Sequence, residues 1–237
     1  MHDIRAGLMR VRERIAAAAE RAGRRADDVL LIAVSKTVEV ERVREAIEVG
    51  VTALGENRVQ EAKAKFAVLG HRVPWHLIGP LQTNKVKDAL ALFDVVHSID
   101  RLEVAREIER RAAGAGRPID VLLEVNVGNE ASKSGFVPDA VAAALDAIAG
   151  MAHLKVRGLM AIPPIVERAE DSRPSFKALR ALAQRHGLGE LSMGMSGDFE
   201  VAVEEGATMV RVGTAIFGPR GPGNMGAPRL RTPSATA

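Results

Sequence analysis

The stretch LLIAVSKTVEVERVREAIEVGVTALGEN, residues 30–57, decides the fold of this chain. It begins with a short apolar run that ends on Ser35 and Lys36. A segment with helical character follows at 39–49, and a second apolar run occupies 51–56. A strand, a helix and a strand of these lengths predict a right-handed βαβ unit with two parallel strands. Because the first strand is almost entirely apolar, the sheet is expected to be covered on both faces.

The same alternation of strand and helix continues along the chain. The candidate strands are 30–36, 51–56, 75–79, 95–99, 119–127, 155–162, 191–196 and 209–218. The candidate helices between them are 39–49, 57–69, 83–92, 101–114, 138–149, 173–186 and 198–205. Eight such units in a chain of this length predict an α/β fold of the (β/α)8 TIM-barrel type. The alternative, a doubly wound open sheet, usually has a glycine-rich loop after its first strand, and VSKTVEVER contains no glycine.

An additional helix is expected before the barrel, at 3–22. Its apolar residues recur at spacings of three and four, as on one face of an amphipathic helix. This apolar stripe could cap the bottom of the barrel or form a subunit contact. At the other end, residues 221–237 are rich in proline, glycine and small polar residues. We therefore predict a single domain over 1–220, followed by a disordered tail.

Composition argues against several classes of function. The chain has 237 residues, no cysteine and a net charge of +3. It has no apolar run of membrane-spanning length and no signal-peptide pattern, which favours a cytosolic protein that does not enter the membrane. Without cysteine there is neither a disulfide nor a thiol nucleophile, and the scattered histidines predict no metal site. Aromatic residues make up only 3% of the chain, which argues against nucleic-acid binding.

In a (β/α)8 barrel the active site lies at the carboxyl ends of the strands. Lys36 follows the first strand and Asn57 the second, so Lys36 would face a shared opening. The alternative without a functional role is that Lys36 is an exposed residue at the point where its strand reaches water. The loops after strands seven and eight are the usual phosphate site of this architecture. They contribute Ser196 and Gly197, before a helix expected near residue 198, and Gly213 with Thr214.

A phosphate site opposite a lysine suggests a phosphorylated aldehyde held as a Schiff base. Arg211 lies on the eighth strand, which neighbours the first strand in a closed barrel, and it could supply a nearby cation. A cation near the lysine would favour its neutral, reactive form. From the residues alone, the ligand could be pyridoxal 5'-phosphate (PLP), or a sugar phosphate in an aldolase-like reaction.

Motifs at nearly every strand end resemble those of the pyridoxal-phosphate homeostasis protein family, the single-domain relatives of the alanine-racemase barrel. They are AVSKT (33–37), GEN with VQE (55–61), WHLIGPLQTNK (75–85), KSG (133–135), RGLMAI (157–162), SMGMSGDFEVA (192–202) and VRVGTAIFG (210–218). The resemblance extends from about residue 5 to residue 220. The chain departs from the family pattern at Arg58, where an aromatic residue is common, and at Gly197 and Phe199.

The resemblance implies a fold-type III PLP protein in which Lys36 carries the cofactor as an internal aldimine. The phosphate would be bound by Ser196, Gly213 and Thr214. Asn57 would lie beside the ring, Arg211 would face the pyridine nitrogen and Met195 would line the pocket. These seven residues are the predicted cofactor-binding set.

The resemblance also implies a role in PLP (vitamin B6) homeostasis, without robust catalysis. The racemases of this barrel type use a lysine and a tyrosine as two bases, and this chain contains no tyrosine. An arginine at the ring nitrogen also weakens the electron sink, because it does not readily give up a proton. We therefore expect a monomeric binding protein that exchanges PLP with apo-enzymes. The alternatives are a weak PLP-dependent amino-acid racemase and a Schiff-base aldolase.

Overall fold

A closed barrel of eight parallel strands forms the centre of the computed structural model, which describes residues 2–219. Each strand pairs with the next along the chain, and β8 pairs with β1 to close the ring, with Leu30 opposite Met209. The predicted barrel is therefore confirmed, and the open doubly wound sheet is wrong. The strands are β1 (Leu30–Val34), β2 (Leu54–Glu56), β3 (Trp75–Leu77), β4 (Val95–Ile99), β5 (Ile119–Glu124), β6 (Leu154–Met160), β7 (Glu190–Met195) and β8 (Met209–Val212).

Helices surround the barrel because each connection between parallel strands must run back to the end of the barrel at which the strands begin. They are α1 (Ile4–Arg21), α2 (Val40–Glu48), α3 (Val59–Leu69), α4 (Val86–Leu90), α5 (Leu102–Ala115), α6 (Val141–Ile148), α7 (Arg173–Arg185), α8 (Phe199–Glu204) and α9 (Thr214–Phe217). Short 3-10 turns precede α4, α6 and α7. Within residues 2–219, no helix combines the length and the apolar character needed to cross a membrane.

The additional N-terminal helix is present as α1. Asp3 caps its amino terminus, because the Asp3 carboxylate accepts a hydrogen bond from the Ala6 amide. Its apolar residues, including Leu8 and Ile15, are buried within the chain, where α1 packs against α2, α8 and α9. Leu8 and Ile15 also line a cavity at the amino-terminal end of the barrel together with Leu30. The stripe is thus buried within the chain by contacts with helices of the outer layer.

Successive side chains along β8 point alternately to the outer core and to the interior of the barrel. Val210 and Val212 belong to the main hydrophobic core between the strands and the helices. Met209 instead joins a small separate cluster inside the barrel with Ile32, and Arg211 is buried on that same inner side. The two-residue period of a strand therefore directs Arg211 away from the helices. Polar residues can then occupy the upper barrel interior without disturbing the main core.

Several predicted strand boundaries are wrong, and the fifth strand ends at Glu124 rather than at residue 127. The eighth strand was expected to extend to residue 218, but β8 ends at Val212, and residues 214–217 form α9. The amide of Gly213 donates to the Ser196 hydroxyl, and the Gly213 carbonyl accepts from the amides of Ile216 and Phe217. These bonds replace a strand ladder with a helical turn. The second strand begins at Leu54 rather than at residue 51. The predicted disordered tail, 221–237, lies outside the described residues.

Candidate functional site

All seven predicted cofactor-binding residues line one cavity of about 250 Å³ at the carboxyl ends of the strands. Its remaining lining residues are Val34, Ile78, Ile162 and Gly197. β1, β7 and β8 converge here, because Arg211 lies in register with Ile32 on one side and with Met195 on the other. The loops after these strands therefore bring Lys36, Ser196 and Thr214 to the same opening. Metal binding gains no support, since residues 2–219 contain no group of three His, Asp or Glu side chains suited to an ion.

Arg211 provides a fixed positive charge inside the barrel. Its guanidinium donates to the Ser192 hydroxyl at 2.5 Å and to the Ala161 carbonyl at 2.9 Å. Burial lowers the pKa of Arg211 to about 10, while Asp198 and Glu124 act in the opposite direction. The group therefore stays protonated at neutral pH. It can donate hydrogen bonds into the cavity but cannot act there as a base.

A hydrogen-bonded chain of buried side chains continues from Arg211 across the barrel interior. Ser192 Oγ lies 2.9 Å from His97 Nδ1, and His97 Nε2 lies 2.8 Å from His76 Nδ1. No spacing or motif in the sequence indicated that His76 and His97 are paired. Their pairing arises because alternate residues of neighbouring strands point into the same interior. Neither histidine lines the cavity.

The side of the cavity formed by the loops after β7 and β8 is rich in hydroxyl groups and glycines. Ser196 Oγ accepts from the Gly213 amide at 3.3 Å, which joins the two loops. Asp198 fixes the first loop, because its carboxylate accepts from the Met195 amide at 2.7 Å and from the Ser172 hydroxyl at 3.0 Å. Gly197 has open space where a Cβ would lie. A small anion could therefore approach the backbone between the Ser196 and Thr214 hydroxyls.

Lys36 and Asn57 belong to the other side of the cavity. Lys36 is half-buried immediately after β1, and Asn57 follows β2. Asn57 Oδ1 is buried and has no hydrogen-bond partner within the described part of the chain. Gly79 lies so close to this segment that a Cβ there would come within 2.4 Å of the Asn57 carbonyl oxygen. Close packing against the segment that follows β3 thus holds Asn57 at the cavity.

Glu56 does not reach the cavity, although it precedes Asn57 at the same strand end. Its carboxylate is fully buried and accepts from the Ser35 hydroxyl at 2.7 Å and from Lys65 Nζ at 2.7 Å. Burial raises the pKa of Glu56, although the Lys65 ammonium opposes this shift. Sequence reasoning missed Lys65. The available signal was its i,i+4 spacing from Glu61, which is typical of a helical ion pair.

Other polar residues at this end of the barrel line a neighbouring cavity of about 200 Å³. It contains Glu124, Asn126, Lys133 and Ser134, and it shares Ile162 with the first cavity. Burial raises the pKa of Glu124 to about 7, with Asp100 acting in the same direction. Lys133 of the KSG segment forms an ion pair with Glu130 at 2.6 Å. None of these four residues lines the cavity that contains Lys36.

Comparison with known proteins agrees with the motifs and the geometry. Residues 8–221 match the family described as the alanine racemase N-terminal domain. The chain is 48% identical over 220 residues to the pyridoxal phosphate homeostasis protein of Aquifex aeolicus, covering 90% of this chain and 96% of that protein. The chain belongs to the pyridoxal phosphate homeostasis protein family. The resemblance seen in its motifs is therefore confirmed.

Solved structures show the same architecture. PipY of Synechococcus elongatus, solved with PLP bound, has 36% identity and a TM-score of 0.80, with 91% of this chain and 100% of that chain covered. Alanine racemase of Clostridium difficile superposes with a TM-score of 0.70 at 16% identity. This chain spans 55% of the racemase, so the match shows a shared barrel fold and nothing more.

Proposed function

We propose that this chain binds PLP and holds it reversibly through a Schiff base on Lys36, as a reservoir of the cofactor rather than as an enzyme. The observation that carries the proposal is the convergence of Lys36 and the hydroxyl-rich loops on one cavity. Membership of a family named for PLP homeostasis supports it, as does the bound PLP in the PipY structure. The residues of the cavity also have to fit the cofactor.

The fit rests on the chemistry of the lining residues. The Ser196 and Thr214 hydroxyls, with the backbone at Gly197 and Gly213, would hold the phosphate. Arg211 is a permanent donor and would face the ring nitrogen. Asn57 would lie beside the ring, with a buried Oδ1 that has no hydrogen-bond partner among residues 2–219. When bound, PLP supplies an aldehyde whose carbon joins the Lys36 nitrogen, and the carbonyl oxygen leaves as water with both amine hydrogens.

Binding without robust turnover is supported by the acid–base groups of the cavity. Lys36 and Arg211 are its titratable lining residues, and the protonated guanidinium of Arg211 is not a base. Two-sided proton exchange requires a second base within hydrogen-bond reach of the substrate. The chain contains no tyrosine, so a second copy could not supply one either. The cytosolic location, the monomeric state and the transfer of PLP to apo-enzymes stay predictions within this proposal.

The test is to mix the purified protein with PLP, record the visible spectrum, reduce with borohydride and locate the label by peptide mass. We expect a yellow absorbance band that disappears on reduction, with a pyridoxyl group on Lys36. Lys36→Ala should lose the band, whereas Lys63→Ala, at an exposed position of α3, should behave like the wild type. A colourless wild-type protein that stays unlabelled would overturn the proposal.

A second measurement addresses catalysis. The holoprotein is incubated with alanine in D2O, and exchange of the α-hydrogen is followed by NMR. We expect exchange no faster than with free PLP at the same concentration. Sustained exchange that Lys36→Ala abolishes would establish the racemase alternative instead. The aldolase alternative is tested by adding a sugar phosphate and borohydride to the protein. A sugar attached to Lys36, in a protein that PLP does not label, would indicate the aldolase.

A further inference from the structure

Lys36 lies in a tight turn whose backbone is strained. The Val38 amide donates to the Ser35 carbonyl at 3.0 Å, closing a four-residue turn with Lys36 in its second position. Thr37, in the third position, has a φ of 62°, in the left-handed region. Turns of this kind favour glycine at that position, and a β-branched residue adopts the conformation only at an energetic cost. Some other contact must therefore hold the turn in place.

Two residues of α3 provide that contact. Lys65 Nζ donates to the Ser35 carbonyl at 2.5 Å, on one side of Lys36. Glu61 Oε1 accepts from the Thr37 amide at 2.5 Å, on the other side. Lys65 Nζ and Glu61 Oε1 are themselves 2.8 Å apart, so the two anchors are joined by an ion pair. The backbone on both sides of Lys36 is thus tied to a single helix.

The anchors are themselves held by a buried charge. Lys65 Nζ lies 2.7 Å from Glu56 Oε1, which also accepts from the Ser35 hydroxyl. The side chains of Lys65 and Glu56 are 8% and 0% exposed. A buried ion pair of this kind is costly to break, because removing one partner leaves the other charge unpaired. The cluster is therefore a stiff support for the turn.

None of the four residues in this network, Ser35, Glu56, Glu61 and Lys65, lines the cavity. Their contacts instead fix the backbone that carries Lys36. Lys65 also has no free donor, since its three N–H groups match three acceptors: the Ser35 carbonyl, Glu56 and Glu61. All three donors of Lys65 are therefore engaged in supporting the turn.

We infer that Glu61 and Lys65 are positioning residues that fix the Lys36 turn, so that its amine meets the aldehyde of a phosphorylated ligand in the cavity. This inference rests on the proposed function and extends it to residues that never touch the ligand. In the supported step, a neutral Lys36 amine forms a C=N bond with the aldehyde carbon and water leaves. The network lowers the barrier by holding the nitrogen in a productive geometry.

The test separates condensation from binding. Condensation is the rate of appearance of the visible band after PLP is mixed with the apoprotein. Binding alone is the dissociation constant for pyridoxine 5'-phosphate, which has an alcohol in place of the aldehyde and cannot condense. For Glu61→Ala we expect condensation at least tenfold slower, with the pyridoxine phosphate constant changed less than twofold. Glu61→Gln keeps an oxygen for the Thr37 amide and should recover much of the rate.

Gln60→Ala, at an exposed neighbouring position of α3, is the matched control and should leave both quantities unchanged. Equal losses of rate and affinity in Glu61→Ala would mean a merely structural role and would overturn the inference, as would an unchanged rate. If Glu61→Ala does not fold, Glu61→Asp decides the matter, because its shorter side chain withdraws the acceptor from the Thr37 amide: we expect a slower rate, and a wild-type rate overturns the inference. Wild-type protein that never condenses with PLP would overturn the proposed function as well, which distinguishes the two failures.

The engagement of all three Lys65 donors can be tested separately. In Lys36→Ala, PLP and borohydride should leave Lys65 unlabelled, because its three donors remain engaged. A pyridoxyl group on Lys65 in that variant would show that the cluster does not withhold this amine, and would contradict its assigned role.

Discussion

His97 Nε2 lies 2.8 Å from His76 Nδ1 in the interior of the barrel, with both rings buried. The direction of this hydrogen bond follows from Arg211, which can only donate. Arg211 donates to Ser192 Oγ, and within the described residues the Ser192 proton has His97 Nδ1 as its acceptor. His97 Nε2 must then carry a hydrogen and donate to His76. One buried cation thus selects the tautomers of both histidines.

This arrangement predicts an acid-sensitive fold. Burial lowers the pKa of His76 to about 4 from its ordinary value of 6.5, and burial lowers the pKa of His97 as well. Between pH 6.5 and pH 4 the unfolded chain binds protons that the folded chain does not. The stability contributed by neutral His76 is therefore present above pH 6.5 and lost as the pH falls. From pH 7 to pH 5 the loss from His76 is about 2 kcal/mol.

His76→Gln should reduce this acid sensitivity, because the glutamine oxygen can still accept from His97 but does not titrate. The free energy of unfolding, measured with urea at pH 7 and at pH 5, should fall by about 2 kcal/mol less in the variant than in the wild type. Glu124 contributes the opposite pH dependence, since its pKa is raised to about 7. Its contribution is the same in the variant and the wild type, so it drops out of the difference between them. His186→Gln, at the end of α7, is the control. An equal fall in His76→Gln and wild type would show that burial does not lower the pKa of His76.

The fold was predictable because it depends on a pattern repeated eight times. Apolar strands alternating with amphipathic helices leave few other topologies, and a wrong boundary in one unit does not change the closure of the ring. The seven cavity residues were predictable for a related reason. Each follows a strand or lies near its carboxyl end, and the closed barrel brings those ends together without further information.

Pairwise contacts inside the barrel could not be predicted in this way. His76 and His97 are 21 residues apart, and which strand residues face each other depends on the register of the ring. The Lys65 cluster depends on the depth at which α3 packs beneath the Lys36 turn. The end of β8 was missed because VGTAIFG is apolar and β-branched enough to continue a strand. In the structure the Gly213 amide instead bonds to Ser196, a residue on another loop, and α9 begins at the next residue.

A second prediction concerns an ion-pair cluster that joins three helices. Arg173 at the start of α7 binds Glu170, Glu204 at 2.6 Å and Glu205 at 2.7 Å, and Glu204 also pairs with Arg21 of α1. The Glu205 side chain is 7% exposed. Arg173→Ala would leave this carboxylate with weaker partners, so we expect a loss of about 1–3 kcal/mol in the free energy of unfolding.

Arg168→Ala is the matched control for Arg173→Ala. Arg168 also pairs with a carboxylate three residues away, Asp171, but its own side chain is 79% exposed. Exposed pairs of this kind contribute little, so the free energy of unfolding should change by less than about 0.5 kcal/mol. Similar losses in the two variants would show that the burial of Glu205 does not increase the contribution of the Arg173 cluster to the free energy of unfolding.

The last prediction concerns the contact between β6 and β7, the strand that leads to Ser196. Gly158 of β6 pairs with Glu190 of β7, and a Cβ on Gly158 would lie 1.8 Å from the Glu190 carbonyl oxygen. Both groups belong to the backbone, so neither can rotate away, and Gly158→Ala should force the strands apart. We expect a loss of about 3 kcal/mol or more in the free energy of unfolding.

Gly150→Ala is the control. Nothing lies within 4 Å of the added atom, so its free energy of unfolding should stay within about 1 kcal/mol of the wild type. Urea unfolding of the two variants at pH 7 measures both values, and a well-folded Gly158→Ala protein of wild-type stability would show that the β6–β7 spacing is wider than described.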